Sequence, residues 1–311
     1  MKLIIQIPCL NEADSLATTL RELPRSVRGF DSVEWLVIND GSTDDTEAVA
    51  RAHGVDHVIS FHKNQGLARG FMAGLERSIK LGADVIVNTD ADNQYNAADI
   101  PLLVEPILSG RADAVIGVRP IDTIQHFSLP KKALQKLGSW VVSIMSRTTI
   151  PDATSGFRAM SREAALRLNM FNEYTYTLEM IIQAGQKNIT FTTVPVRVNA
   201  DMRPSRLVKS IPFYIKKSII TIIRVAVIYR PFRFFMSIGF LLFSVGFLIG
   251  VRFLYYFSIG GSAGHIQSLI LASILLGVGF QTILVAFLAD LLSVNRRLME
   301  DVQYRVRRML S

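Results

Sequence analysis

Short apolar runs alternate with amphipathic stretches along the chain ahead of residue 204. Uninterrupted apolar runs are typical of strands that are buried on both faces of a parallel sheet. Strands are predicted at residues 3–7, 34–38, 85–88, 114–118 and 189–198. Leu67, Phe71, Leu75 and Ile79 recur every fourth residue and predict a helix over residues 66–81. Further helices are predicted at residues 97–109, 131–147, 161–168 and 176–186.

Capping residues mark the starts of two more helices. Asn11 follows the first strand, with Asp14 at the third position of the helix. Ser42 follows the second strand, with Asp45 at the place that completes a capping box. Strands and helices that alternate in this way predict an α/β fold with a mainly parallel central sheet.

The C-terminal part of the chain is much more apolar than the rest. Residues 234–251 and 266–289 contain no charged side chain, and each stretch is long enough to cross about 30 Å of hydrocarbon as a helix. Two transmembrane helices are therefore predicted, at about residues 232–257 and 266–290. Gly246 and Gly250 form a small-xxx-small pair that favours close packing of the two spans or of two subunits.

Basic residues flank the two apolar stretches, but Lys and Arg are absent from the connector at residues 258–265. Arg252 lies near the outer end of the first stretch and can snorkel. By the positive-inside rule, this places both termini and the main domain in the cytoplasm. The net charge is +8, and residues 205–231 mix Lys and Arg with large apolar residues, which is typical of amphipathic helices lying on anionic lipid. A membrane surface is therefore favoured over nucleic acid as the partner of these charges.

The chain is thus predicted to have four parts. Residues 1–204 form a cytoplasmic catalytic domain, residues 205–231 are interfacial helices, residues 232–290 carry the two spans, and residues 291–311 form a basic cytoplasmic helix. That last helix is expected either to mediate self-association as a homo-oligomer or to lie on the membrane. The single cysteine, Cys9, excludes a disulfide within the chain and fits a reducing compartment.

Candidate chemistry lies where the predicted strands end. Asp90 and Asp92 follow an apolar strand and point to the same side of an extended backbone, and Gln94 continues that face. Hard oxygen ligands of this kind suit Mg²⁺ or Mn²⁺. Asp and Asn clusters also occur simply where strands enter turns, so this motif alone is weak. Ligands bind outside the carboxyl ends of such strands, where Glu12 and Asp40 also fall.

Five motifs in order carry a resemblance to a known family. They are residues 7–12 (Ile-Pro-Cys-Leu-Asn-Glu), 39–44 (Asn-Asp-Gly-Ser-Thr-Asp), 64–66 (Asn-Gln-Gly), 90–94 (Asp-Ala-Asp-Asn-Gln) and 152–158 (Asp-Ala-Thr-Ser-Gly-Phe-Arg). The set resembles the family 2 glycosyltransferases of GT-A fold, and within them the membrane-anchored polyprenyl-phosphate glycosyltransferases related to dolichol-phosphate mannose synthase. The two-span region is similar to their bacterial branch, which implies a bacterial inner membrane.

The resemblance implies roles for particular residues. Asp90, Asp92 and Gln94 would hold a divalent cation, Mg²⁺ or Mn²⁺, on the diphosphate of a nucleotide-sugar donor. The nucleotide-binding set is Pro8, Asn11, Glu12, Asp40, Ser42, Asp90 and Ala91, although a helix cap is the favoured role for Ser42. Asp152, Ser155 and Arg158 would face the acceptor. A phosphate acceptor also needs fixed cations, for which Arg119, Arg158, Arg203 and Arg206 are candidates. Asp92, Asp152, Arg119, Arg158 and Arg203 form the predicted catalytic set.

The expected reaction transfers one sugar from the nucleotide-sugar to a polyprenyl phosphate, with inversion by single displacement. A phosphate monoester has a second pKa near 6, so the nucleophile is already ionised and needs no strong base. The Gln-x-x-Arg-Trp motif of processive synthases is absent from the sequence, which favours one sugar per acceptor. Two alternatives remain: a family 2 enzyme using another membrane lipid, for which Asp152 would have to act as a base, and a non-catalytic scaffold that binds nucleotide sugar.

Overall fold

The structure, a computed structural model, describes residues 1–120, 151–169, 176–187, 189–199, 220, 223–224, 227–260 and 266–309. The chain divides into two compact units. The first unit comprises Met1–Ser218 together with Val302–Ser311, and the second comprises Ile219–Asp301. The predicted helix at residues 131–147 and most of the predicted interfacial segment lie outside the described residues.

A mixed seven-stranded sheet forms the centre of the first unit. The strands are β1 Lys2–Cys9, β2 Ser32–Asn39, β3 His57–Ser60, β4 Val85–Asn88, β5 Ala114–Val118, β6 Arg158–Ser161 and β7 Phe191–Pro195, in the order β3-β2-β1-β4-β6-β5-β7. Only β6 runs antiparallel, to both β4 and β5. The mainly parallel sheet is confirmed. Strands β3 and β6 were not predicted, and β7 is shorter than residues 189–198.

Helices cover the two faces of this sheet. They are α1 Ala13–Glu22, α2 Thr46–Ala52, α3 Leu67–Lys80, α4 Ile100–Leu108 after a 3₁₀ turn at Ala97–Asp99, α5 Arg162–Arg167 and α6 Tyr176–Gln186. The helices predicted at residues 66–81, 97–109, 161–168 and 176–186 are confirmed within a few residues. In α3, Phe71, Leu75 and Ile79 are buried as their spacing predicted.

The core has two layers because β1 is buried on both faces. Leu3, Ile5 and Ile7 pack into one apolar cluster with α1 and α4, whereas Ile4 packs into the other with Phe71 of α3. A sheet covered on both faces requires strands that are largely apolar, and Gln6, the one polar residue of Leu3–Ile7, is buried and donates to Asn88 Oδ1 at 2.9 Å. The sequence Leu3–Ile7 therefore places β1 near the middle of the sheet, with its polar end at the rim.

Asn11 and Ser42 do not cap helices, contrary to the sequence prediction. Helix α1 begins at Ala13 and α2 begins at Thr46, and neither has a side-chain cap from these residues. Instead, Ser42 Oγ accepts a hydrogen bond from Asn11 N at 2.9 Å, and Asn11 Oδ1 accepts one from Thr43 N at 2.8 Å. The two polar side chains therefore join the turns that follow β1 and β2.

The second unit contains a long apolar helix, α7 Pro231–Ser258, and most of another, α8 Ile266–Met309. Both are long and apolar enough to cross a membrane. Helix α8 continues past residue 290 without a break, so the predicted C-terminal helix is an extension of the second span. Arg296 donates to Glu300 one turn later, which supports this continuation.

Three glycines bring α7 and α8 into close backbone contact. A Cβ on Gly279 would lie 2.6 Å from Phe243 N, and one on Gly239 or Gly246 would lie 2.9 Å from a backbone nitrogen of α8. Contacts below 3.0 Å leave no room for any side chain. Nothing lies within 4 Å of a Cβ on Gly250. Of the predicted small-residue pair, Gly246 therefore packs against the other helix and Gly250 does not.

The last turns of α8 belong to the first unit and contact its surface. Tyr304 Oη donates to Glu163 Oε1 at 2.7 Å, and its ring packs against the core layer that contains α3. Arg307 donates to Leu168 O at 2.9 Å, to Asn169 Oδ1 at 2.6 Å and to Glu76 at 2.8 Å. Sequence reasoning did not anticipate this contact, which gives the predicted basic helix a partner within the chain.

Candidate active site

The polar ends of four strands and the start of a fifth meet at one edge of the sheet. Strands β1, β2, β4 and β5 are parallel, so their carboxyl ends lie together. Because β6 is antiparallel, the residues that lead into it, 152–157, arrive at this same edge. The unpredicted reversal of β6 therefore explains how the motif at 152–158 comes to lie beside Asp90.

Asp90 and Asp92 concentrate negative charge at this edge. Burial raises the pKa of Asp90 to about 7, and the charge of Asp92 adds to this rise, while Arg119 and Arg158 oppose it. A carboxyl group with so high a pKa is poorly stabilised as an anion by its own surroundings. A divalent cation would supply the missing positive charge and favour the ionised form.

The loop that carries Asp92 and Gln94 is held in a defined conformation. Asn93 has a left-handed backbone, with φ of 56°, and Gln94 N donates to Asp92 Oδ1 at 3.2 Å. Asn199 fixes the loop from outside: its N donates to Gln94 O at 2.8 Å and its Nδ2 to Asn93 O at 3.0 Å. Thr19 Oγ1 donates to Ala91 O at 2.9 Å. These contacts position the two carboxylates before any ligand binds.

Arg119 connects the predicted metal-binding loop, residues 90–94 (the metal loop), to the loop before β6. Its Nε and Nη2 donate to the two oxygens of Asp152 at 2.7 and 3.1 Å, its Nη1 donates to Gln94 Oε1 at 3.2 Å, and its Nη2 also donates to Thr154 Oγ1 at 2.9 Å. Burial alone would raise the pKa of Asp152, but its hydrogen bonds to Arg119 and the charge of Arg119 hold that pKa below its ordinary value. The guanidinium is thereby fixed at the strand edge as a permanent cation.

The donor set fits a divalent cation. Asp90 and Asp92 provide carboxylate oxygens, and both side chains are partly open to solvent. Gln94 Oε1 accepts a hydrogen bond from Arg119, but a carbonyl oxygen has a second lone pair available for a metal. Among the described residues, no three His, Cys, Asp or Glu side chains could hold a metal together. The role of Gln94 as the third ligand stays a prediction.

Asp40, a predicted nucleotide contact, holds a neighbouring loop. Its two carboxylate oxygens accept from Gln65 N at 2.7 Å and Gly66 N at 2.9 Å, and only 5% of the residue is exposed. Gly41 permits this approach because its φ is 72° and a Cβ would lie 2.5 Å from the carbonyl carbon of Lys63. The Asn64-Gln65-Gly66 motif is therefore held against the Asp40 turn.

The other predicted nucleotide contacts lie around the same rim. Pro8, Asn11 and Glu12 are partly exposed at the end of β1, and Ser42 is partly exposed at the end of β2. Glu12 Oε2 accepts from Ser15 Oγ at 2.8 Å. Ala91 is buried between the two carboxylates. Whether these residues touch a nucleotide stays a prediction.

Arg158 and Ser155, two of the predicted acceptor contacts, are fully buried. Arg158 donates to the carbonyl oxygens of Ala153, Ser155 and Thr177 at 2.7 to 2.8 Å. Its guanidinium is occupied by main-chain acceptors and holds the loop before β6, and a contact with an acceptor stays a prediction. Asp152 is also fully buried, and its described contacts are with Arg119 and Thr154. The predicted phosphate ligands Arg203 and Arg206 lie outside the described residues.

Several residues at the site carry no motif and were missed from the sequence. Asn88, Tyr95, Asn199 and Thr19 each hold a loop of the site by hydrogen bonds to backbone groups distant in sequence. No local pattern encodes such partners. Asn88 was the one visible exception, because it is a polar residue at the end of an otherwise apolar strand.

Comparison with known proteins agrees with this fold and site. Residues 4–168, more than half of the chain, match the family model for glycosyl transferase family 2, and the chain belongs to that family. It is a glycosyltransferase with a GT-A-like fold, as the motifs implied.

Individual relatives share about a quarter of their residues with this chain over roughly 200 positions. The chain is 28% identical over 206 residues to undecaprenyl-phosphate mannosyltransferase of Micrococcus luteus, covering 63% of this chain and 83% of that protein. It is 25% identical over 204 residues to polyprenol monophosphomannose synthase of Mycolicibacterium smegmatis, covering 62% of this chain and 76% of that protein. A crystal structure of glucosyl-3-phosphoglycerate synthase from Mycobacterium tuberculosis with Mn²⁺ and UDP superposes with a TM-score of 0.54 at 21% identity, covering 71% of this chain and 79% of that one.

Proposed function

We propose that this glycosyltransferase transfers a single sugar from a nucleotide-diphosphate-sugar to a polyprenyl phosphate at the cytoplasmic face of a membrane. The observation that carries the proposal is the pairing of Asp90 and Asp92 with a fixed guanidinium, Arg119, at one sheet edge. The two carboxylates suit a metal-bound diphosphate, and the guanidinium of Arg119 suits a second phosphate. The relatives named above, a mannosyltransferase of undecaprenyl phosphate and a polyprenol monophosphomannose synthase, support a lipid phosphate as acceptor.

Asp90, Asp92 and Gln94 would hold the cation on the donor diphosphate. The cation, when bound, neutralises the charge that develops on the departing diphosphate. Support for a divalent ion comes from the structural neighbour, whose crystals contain Mn²⁺ with UDP. Asp40 and the loop it holds would line the nucleoside side of the same rim.

Arg119 would orient the phosphate groups that approach the sugar. Its Nη1 and Nη2 lie between the metal loop and Thr154, and Asp152 fixes the plane of the guanidinium. An ionised phosphate oxygen of the acceptor would attack the anomeric carbon, and the bond to the donor diphosphate would break with its electron pair leaving on the nucleoside diphosphate. A single displacement of this kind inverts the configuration.

The state of Asp152 favours a phosphate acceptor over a lipid hydroxyl. A hydroxyl acceptor requires a base that takes its proton, and a base works best when its pKa lies near the working pH. Asp152 has a lowered pKa and is fully buried against Arg119. It is therefore a poor base, whereas an ionised phosphate needs none.

The membrane helices would keep the enzyme beside its acceptor. Helices α7 and α8 are the candidate spans, and the basic residues on their outer flanks favour a hairpin with the first unit in the cytoplasm. A long polyprenyl chain stays in the bilayer, so an anchored enzyme meets its phosphate headgroup at the surface.

A donor screen on the full-length protein in nanodiscs tests this proposal. Nucleoside diphosphate release would be measured for UDP- and GDP-sugars, with Mn²⁺ or Mg²⁺, in the presence of undecaprenyl phosphate, undecaprenol or diacylglycerol. We expect release that requires both metal and the lipid phosphate, and loss of release in Asp92→Asn. Release with undecaprenol or diacylglycerol alone would overturn the acceptor assignment, and donor binding without release for any acceptor would favour the scaffold.

A further inference from the structure

Gly156 lies directly behind the carboxylate of Asp90. A Cβ placed on Gly156 would be 2.7 Å from Asp90 Oδ1 and 2.8 Å from Oδ2, closer than real Cβ contacts allow. The φ of Gly156 lies outside the left-handed region that favours glycine. The site therefore needs glycine here for space beside Asp90 and not for backbone conformation.

Two buried side chains fix the backbone of Gly156 from both ends of the residue. Gly156 N donates to Tyr95 Oη at 3.0 Å, and Gly156 O accepts from Asn88 Nδ2 at 2.8 Å. Both side chains are almost fully buried, with exposures of 3% and 0%. Each peptide group of this residue is thus set by a side chain that comes from β4 or from the loop after it.

The two side chains are themselves anchored. Asn88 Oδ1 accepts from Gln6 Nε2 of the neighbouring strand at 2.9 Å, so its amide cannot rotate without losing a buried bond. The ring of Tyr95 stacks on Phe157, with centroids 5.1 Å apart. A continuous set of contacts therefore runs from the centre of the sheet to the backbone of Gly156, which forms the wall behind Asp90.

We propose that Gly156, Tyr95 and Asn88 are positioning residues that set where the Asp90 carboxylate meets the metal. This inference rests on the proposed function, since it assigns the metal to Asp90. The wall limits how far the carboxylate can retreat from Asp92, so both groups face one cation. The Ser155-Gly156-Phe157 part of the motif at 152–158 then serves the metal side of the site and not the acceptor.

Space behind Asp90 and fixation of the wall can be varied separately. Gly156→Ala adds a Cβ against the carboxylate, whereas Tyr95→Phe keeps the stacked ring and removes the hydroxyl that accepts from Gly156 N. Gly70→Ala is a matched control, because a Cβ at that buried glycine of α3 would make an ordinary 3.7 Å contact with Ile38.

The test is direct Mn²⁺ binding to the full-length protein in nanodiscs with UDP or GDP present, measured by electron paramagnetic resonance. We expect Gly156→Ala to raise the dissociation constant of Mn²⁺ about 10- to 100-fold, in the range seen when groups behind metal ligands are changed. Tyr95→Phe should raise it less, and Gly70→Ala should leave it unchanged. In sugar-transfer assays of Gly156→Ala, the metal concentration that gives half of the maximal rate should rise by a large factor. The rate at saturating metal should fall by a smaller factor.

The outcomes separate this inference from the proposed function. If the wild-type protein binds no Mn²⁺ with either nucleotide, the proposed metal site is wrong. If the wild type binds Mn²⁺ and Gly156→Ala binds it equally well, the positioning role is wrong. Should Gly156→Ala fail to fold, Tyr95→Phe decides: an unchanged dissociation constant and an unchanged resonance spectrum would overturn the proposal.

Discussion

Arg119 and Asp152 form a bidentate ion pair, in which the carboxylate is fully buried and the arginine side chain is 11% exposed. The pair joins the end of β5 to the loop that enters β6. Since Arg119 also reaches Gln94, one cation links the acidic metal loop to the opposite wall of the site.

Removing the negative partner of this pair should damage both stability and turnover. Asp152→Ala leaves a largely buried guanidinium without its carboxylate, which costs about 3–5 kcal/mol for a buried pair. Misplacement of Arg119 should lower the turnover rate on the order of 10²-fold. Thermal unfolding and sugar-transfer kinetics in detergent would measure the two effects. Glu105→Ala is the control, because its pair with Arg111 is exposed and contributes about 0–1 kcal/mol.

Metal affinity should increase with pH up to about 7. The metal-free Asp90 has its pKa raised to about 7 by burial and by Asp92, so a cation must displace a proton below that pH. Affinity should fall about tenfold for each pH unit below 7 and level off above it. Mn²⁺ titrations at several pH values would measure this. An affinity that stays constant between about pH 5.5 and 7 would contradict the raised pKa.

The same pKa has the opposite consequence for the stability of the metal-free protein. A carboxyl group whose pKa is raised on folding contributes stability below its unfolded pKa, and this is lost as the pH rises towards the folded value. The metal-free protein should therefore lose stability between about pH 4 and 7 from Asp90, and Asp90→Asn should remove that loss. Thermal unfolding with a chelator, over this pH range, would compare the two proteins.

Asn199 should control the order of the metal loop. Asn199→Asp keeps the shape but places an oxygen where Nδ2 donates to Asn93 O, which turns a bond into a repulsion. Asn93 then loses this side-chain support for its left-handed backbone, and only the backbone bond from Asn199 N to Gln94 O remains from Asn199. Hydrogen exchange of residues 92–95 should become faster. Glu22→Gln alters only a longer contact, 3.3 Å from Asn199 Nδ2, and should leave the exchange unchanged.

The helical hairpin should depend on Gly279 but not on Gly277. Gly279→Leu forces a side chain onto the backbone of Phe243, whereas nothing lies within 4 Å of a Cβ on Gly277. Overpacking of this kind costs about 1–3 kcal/mol or more. Thermal unfolding of the two variants in detergent should show a loss for Gly279→Leu alone. Equal stabilities would contradict the close approach of α7 and α8.

The orientation of the hairpin can be read with single cysteines. Cys9 is buried, so background labelling should be low. We expect Ser258→Cys, at the end of α7, to react with a membrane-impermeant maleimide in intact cells, because the proposed orientation places the connector outside. Arg111→Cys, exposed in the first unit, should react only after the cells are opened. The reverse pattern would overturn the assigned orientation.

Sequence reasoning was most successful where a signal is local. The apolar residues of β1 and the four-residue spacing of Phe71, Leu75 and Ile79 correspond directly to burial, so those elements were predicted. Leu67, at the start of the same series, is exposed. The direction of β6 depends on pairing with β4 and β5, which no short pattern encodes. The reversal was therefore missed.

The sequence shows which charged and polar residues lie near the site, but it does not show which groups each of them contacts. Asp90 and Asp92 were singled out because they follow an apolar strand and belong to an ordered set of five motifs, and their metal role stays a prediction. The carbonyl partners of Arg158 were not predicted, because the sequence does not distinguish an arginine bound to carbonyl oxygens from one that binds phosphate. Asn11 and Ser42 were misassigned for a similar reason, since the oxygen that caps a helix can equally join two turns.

The contacts of Tyr304 and Arg307 bear on how the protein can be dissected. A soluble fragment that ends before the first apolar helix would lose these two side chains, and with them the bonds to Glu163, Asn169 and Glu76. It would also expose the part of the α3 and α5 surface that the tyrosine ring covers. Fragments for crystallisation or assay should therefore carry residues 302–309 in trans or by fusion, and affinity tags belong at the N-terminus.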